Sequence, residues 1–79
     1  MAKKLKRDEW VNLANVSWLH PLYDRPGRVL DRHLKTVQVR FLLSDGHGFG
    51  DHTLEAKDLV RAAPTTDALA DWMLAELGR

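Results

Sequence analysis

The chain has no cysteine, so a disulfide framework, a thiolate metal site and a thiol nucleophile are all excluded. It also lacks any apolar run approaching the ~18 residues of a membrane span. The basic start Met1-Ala2-Lys3-Lys4-Leu5-Lys6-Arg7 passes directly into Asp8-Glu9, without the apolar stretch of a secretory signal. Neither sign of charge dominates, because 12 Lys and Arg oppose 11 Asp and Glu for a net charge of +1. A phosphate-cradling glycine loop is missing too, since Gly46-x-Gly48-x-Gly50 has neither the dinucleotide spacing nor a helix directly after it. These absences predict a single small domain outside the membrane, in a reducing compartment, with the cytoplasm as the expected location.

What the 79 residues do contain is enough apolar material for one small core, including Trp10, Trp18, Trp72, Phe41 and Phe49. Asp24-Arg25-Pro26-Gly27 punctuates the chain as a turn and releases it into Arg28-Val29-Leu30-Asp31. After Asp31-Arg32-His33-Leu34-Lys35, which is either the hairpin connection or the frayed end of its first strand, the run Thr36-Val37-Gln38-Val39-Arg40-Phe41 alternates at period two. That pattern puts Val37, Val39 and Phe41 on the buried face of an antiparallel strand. Val16-Ser17-Trp18-Leu19 reads as the first strand. Residues 8 to 14 fit either a helical turn, through Trp10, Leu13 and Ala14, or an extended segment. Three glycines between Ser44 and Asp51 make a loop, His52 to Glu55 returns to strand, Ala56 to Leu59 is a tight turn, and Val60-Arg61 forms a short last strand. Beyond Pro64 a helix is expected, capped by Thr65, Thr66 or Asp67, striped by Leu69, Trp72, Met73 and Leu77, and stopped at Gly78. The expected organisation is therefore a mobile basic lead-in over 1–7, a β domain over 8–63, and a helix over 64–79 that packs on that domain or on a partner.

This order of elements, with Gly27-x-Val29, the alternating Val37-Gln38-Val39-Arg40-Phe41 and the late Asp58-Leu59-Val60, resembles the SH3-like small barrels of the KOW and Tudor-like type over residues 16–61. The resemblance implies a mainly β fold: a five-strand antiparallel barrel with a C-terminal α-helix. Members of such families commonly act as binding modules. A Tudor-like aromatic cage would draw on Trp18, Tyr23, Phe41 and Phe49, of which Trp18 and Phe41 are claimed by the core.

Chemistry is harder to find. His47 and His52 flank Asp51, with Asp45 nearby, but their spacing matches no standard metal signature, and such residues ordinarily furnish exposed turns. His20 and His33 have no nucleophile or carboxylate at a compelling spacing, and Ser17 and Ser44 have no base assigned by the pattern. No enzyme activity, cofactor, metal or small-molecule substrate is expected. Two binding readings remain. The first is an adaptor or regulatory module for a larger protein, or a self-associating one, through Tyr23, Phe49, Trp72 and Met73. The second is RNA or DNA binding through a basic hairpin carrying Arg25, Arg28, Arg32, Lys35 and Arg40.

Overall fold

The computed structural model describes residues 5–14, 16–17, 19–23, 25–43 and 48–78. The expectations for Trp18, Asp24, Ser44, Asp45, Gly46 and His47, and for the first four residues of the lead-in, lie outside that set. Five strands, β1 (Trp10–Leu13), β2 (Gly27–Arg32), β3 (Thr36–Leu42), β4 (Phe49–Glu55) and β5 (Leu59–Arg61), precede a helix α1 (Thr66–Leu77). A single 3₁₀ turn at Ala56–Asp58 joins β4 to β5.

All strand pairs are antiparallel, in the order β4-β3-β2-β1-β5. The sheet is open. β4 spends its pairing on β3 and the three-residue β5 spends its pairing on β1, so the two edges are not joined. This corrects the expected closed SH3-like barrel and, with it, the KOW and Tudor-like resemblance. Closure is replaced by side chains: Leu5, 1% exposed, joins the core of Val11, Val29, Val37, Val39, Phe41 and Leu59, while Leu22, Leu54 and Ala56 pack against it. Leu5 thus belongs to the core, although the sequence placed it in the lead-in.

The first strand is also corrected. It is Trp10-Val11-Asn12-Leu13, whose alternation turns Val11 into the core and Trp10 to the other face, while residues 19 to 23 form turns, with His20 N–H donating to Ser17 O and Tyr23 N–H to His20 O. Hydrophobic positions at 10, 13 and 14 satisfy a helical spacing as well, and tertiary pairing decides between the two. Val11 bonds into both neighbours at once, opposite Gly27 of β2 and Arg61 of β5.

The hairpin β2–β3 runs as the alternation requires, with Val29 opposite Val39 and Gly27 opposite Phe41. Gly27 is buried, and a Cβ there would lie 2.6 Å from Val39 Cγ1 and 2.7 Å from Phe41 Cε1. Between Val29 and Asp31 the register shifts by a bulge, and Arg32 then pairs with the inward Val37. The opposite face of the sheet carries a second, smaller apolar layer in which Trp72 and Ala75 of α1 pack on Leu42, Trp10 and Phe49.

Candidate protein-binding surface

α1 begins where the sequence requires it to. Pro64 cannot continue a strand ladder, and the Thr65 hydroxyl accepts a hydrogen bond from Ala68 N–H at 3.1 Å, which satisfies one of the free amides of the first turn. At the other end Gly78 N–H donates to Leu74 O. The inward side of the helix is narrow. Trp72 is 3% exposed, meets Trp10 edge-on and Phe49 at a tilt, with ring centroids at 4.9 and 4.7 Å, and donates its indole N–H to Glu76 Oε1 at 2.7 Å. A buried indole that keeps a hydrogen bond carries no polar penalty.

The outward side is apolar as well. Leu69, Met73 and Leu77 follow one another at helical spacing with Leu74 beside them, and their exposures reach 54% at Met73 and 79% at Leu77. Carboxylates border this stripe, Asp67 and Asp71 along one side and Glu76 along the other. Among the described residues no Lys or Arg forms an ion pair with Asp67 or Asp71. A helix that is apolar on two sides normally has both covered; here the sheet covers one.

Of the residues expected to bind a protein, the structure therefore separates two pairs. Trp72 and Phe49 pack on each other inside the outer layer, whereas Met73 is exposed on α1 and Tyr23 is exposed in the loop before β2. Leu69, Leu74 and Leu77 complete the Met73 surface. Leu74 was missed because an apolar residue next to a stripe looks like part of the same buried face until the packing partner is known.

The basic residues divide in the same way. Arg28 and Arg40 stand directly opposite on β2 and β3, on the α1 side of the sheet. Each is held by its outer neighbour in the same cross-strand row: Arg28 lies 5.4 Å over the Trp10 ring with Asp8 at 3.6 Å, and Arg40 grips Asp51 with bonds of 2.8 and 3.2 Å. That grip raises the Arg40 pKa and lowers that of Asp51, each through the shared hydrogen bonds first. Arg25 donates to Pro21 O and Leu42 O and so ties its loop down. Arg32, moved to the other face by the bulge, clusters instead with His33, Leu34 and Lys35 at the tip of the β2–β3 hairpin, where Leu34 is 100% exposed. Among the described residues neither the Arg32 nor the Lys35 side chain forms an ion pair.

The open side of the sheet leaves a groove of ≈ 420 Å³ among Leu22, Phe41, Leu43 and Leu54, with His20 and His52 on its wall. His20 Nδ1 accepts from Leu22 N–H at 3.0 Å, and His52 packs edge-on against Phe41 at 5.7 Å, so both rings have structural contacts. Among the described residues no group of three or more His, Asp or Glu side chains is placed to hold a metal ion, and no helix is long and apolar enough to cross a membrane. No protein-family model, no curated protein and no solved structure matches the chain, so its surface chemistry is the basis on which a function can be assigned.

Proposed function

We propose that this chain is a small non-enzymatic adaptor or regulatory module, and that the outward face of α1 is where it docks on a protein. The observation that carries this reading is the two-sided apolar character of α1, of which the sheet covers only the Trp72 and Ala75 side. Leaving Leu69, Met73, Leu74 and Leu77 in water gains the monomer nothing, and contiguous apolar surface of this kind marks an interface. The reading assigns the chain no reaction, cofactor or small-molecule substrate. A cysteine-free composition fits work in the cytoplasm.

The test is a comparison of the wild-type chain with a Leu69→Glu, Met73→Glu, Leu77→Glu triple variant as baits in an extract of the native cells. A protein retained by the first and lost from the second is then purified and titrated against both. Titration that saturates with wild type and fails with the variant is the expected result. Equal retention by both baits removes α1 from the interface.

A second reading, binding to nucleic-acid phosphates, is favoured by one specific feature: Arg32, His33 and Lys35 gathered at an exposed hairpin tip. Arg28 and Arg40 contribute less to it, being held by Trp10 and Asp51. Its signature is binding to generic RNA or DNA that falls steeply with salt and is lost in Arg32→Ala, Lys35→Ala.

A further inference from the structure

Two surfaces of this chain are left open, and their chemistries are opposite. α1 presents an apolar stripe of Leu69, Met73, Leu74 and Leu77 bordered by Asp67, Asp71 and Glu76. The β2–β3 hairpin presents a fully exposed Leu34 bordered by Arg32, His33 and Lys35. We propose that the hairpin tip of one copy docks on the α1 stripe of a second copy, so that the chain associates head to tail. This rests on the reading of α1 as a docking surface and names its occupant.

The complementarity holds for both components of the contact. Leu34 supplies an apolar projection for an apolar strip, and Arg32 and Lys35 meet Asp67 and Asp71, which form no ion pair among the described residues. Asp67 and Asp71 also repel each other at i, i+4 along the helix, and an incoming cation relieves that repulsion. A symmetric pairing of two α1 faces would instead set carboxylate borders against one another. The charge pattern therefore disfavours the isologous dimer and favours the unlike surfaces.

Within one molecule the two surfaces do not meet. α1 packs at the end of the sheet where Leu42 pairs with Phe49, while the tip lies beyond the other end, where Thr36 pairs with Glu55. Six strand steps separate them along β3, roughly 20 Å, and the tip is anchored there by His33 N–H to Thr36 O and by Ala56 N–H to Lys35 O. The tip is thus a firm projection aimed away from its own helix. Repetition of such a heterologous contact gives a ring or a filament rather than a closed pair.

The contact is small, which puts it in the weak class, so the mass of the full chain in solution is followed from ~1 μM to ~1 mM. At low salt the average mass should rise with concentration, and at high salt the rise should shrink. Leu34→Glu and Met73→Glu each place a charge in one half of the contact and should weaken association by about tenfold or more. Both positions are exposed, and unchanged circular dichroism and Trp fluorescence establish that each variant is folded. An equal mixture of the two variants has one intact tip and one intact stripe between unlike partners. It should form dimers and nothing larger. Exchange of charge across the contact, Lys35→Glu with Asp71→Lys, should restore association that Lys35→Glu alone loses.

A mass that stays monomeric at every concentration overturns the proposal while leaving α1 free to bind a different protein, which the bait comparison decides separately. Self-association that Leu34→Glu leaves unchanged also overturns it, in favour of a helix-to-helix dimer. Association lost in both variants and not recovered on mixing overturns the head-to-tail geometry.

Discussion

The indole rings of Trp72 and Trp10 meet edge to face at 4.9 Å with their planes 81° apart, and this contact fastens α1 to the sheet. Phe49 of β4 meets Trp72 from the other side at 4.7 Å, and Leu42 packs in the same layer. Trp72→Ala should therefore cost ~3–5 kcal/mol. Urea unfolding should show the loss in its midpoint, and far-UV circular dichroism should show loss of helical signal ahead of the sheet, because the inner core does not include α1.

Gly27→Ala tests the close approach of β2 to β3. The added methyl would overlap Val39 and Phe41, both fully enclosed, so neither can swing aside. A cost of about 1–3 kcal/mol in thermal or urea unfolding is expected. An unchanged midpoint would mean that the strands separate more easily than their register suggests.

Arg28 offers a case in which loss of charge and loss of volume have different effects. Its Nε is buried without a hydrogen bond, and its cross-strand partner is the like-charged Arg40, from which its guanidinium turns away toward Trp10. Arg28→Met keeps a long stem over Trp10, loses no hydrogen bond from Nε, and should stay within ~0.5 kcal/mol of wild type. Arg28→Ala strips the stem as well and should be the less stable of the two. Parallel urea titrations compare them.

Acid sensitivity follows from Asp51. Its pKa is lowered by the Arg40 hydrogen bonds, so the folded state holds the proton more weakly than the unfolded chain does. The resulting stabilisation is present above the ordinary aspartate range and is lost as pH falls through the depressed value. Glu9, held by Arg61, follows the same sign. Both pairs are solvent-exposed, which keeps the effect small and makes it shrink with salt. Arg40→Gln should move the Asp51 carboxyl titration, followed by NMR, upward to the ordinary range.

Much of this was legible from particular residues. Val37, Val39 and Phe41 alternate so strictly that β3 and its faces follow from the sequence, and Pro64 with Thr65 marks the start of α1. Three features were not legible, for physical reasons. Trp10, Leu13 and Ala14 suit a helix as well as a strand, so β1 is located only by its pairing with β2 and β5. Strand patterns specify which side of a residue is buried but not whether two distant edges meet, which is why an open sheet was mistaken for a closed barrel. The adjacent Trp72 and Met73 point to different sides of one turn, and only the site of Trp10 shows which of them faces the sheet. The bulge after Val29 adds a fourth difficulty, because it carries Arg32 away from Arg28 and Arg40 without any glycine or proline to announce it.

The position of β1 has a consequence for the order of events at synthesis. β2, β3 and β4 are a meander of sequence neighbours, able to zip together as soon as they leave the ribosome. β1 emerges first yet keeps one edge bare until Arg61 arrives to pair with Val11. Trp10, Leu42 and Phe49 wait longer still, since their cover is α1, made after all five strands. A nascent chain halted before Thr66 therefore still exposes the Trp10, Leu42 and Phe49 surface that α1 goes on to cover.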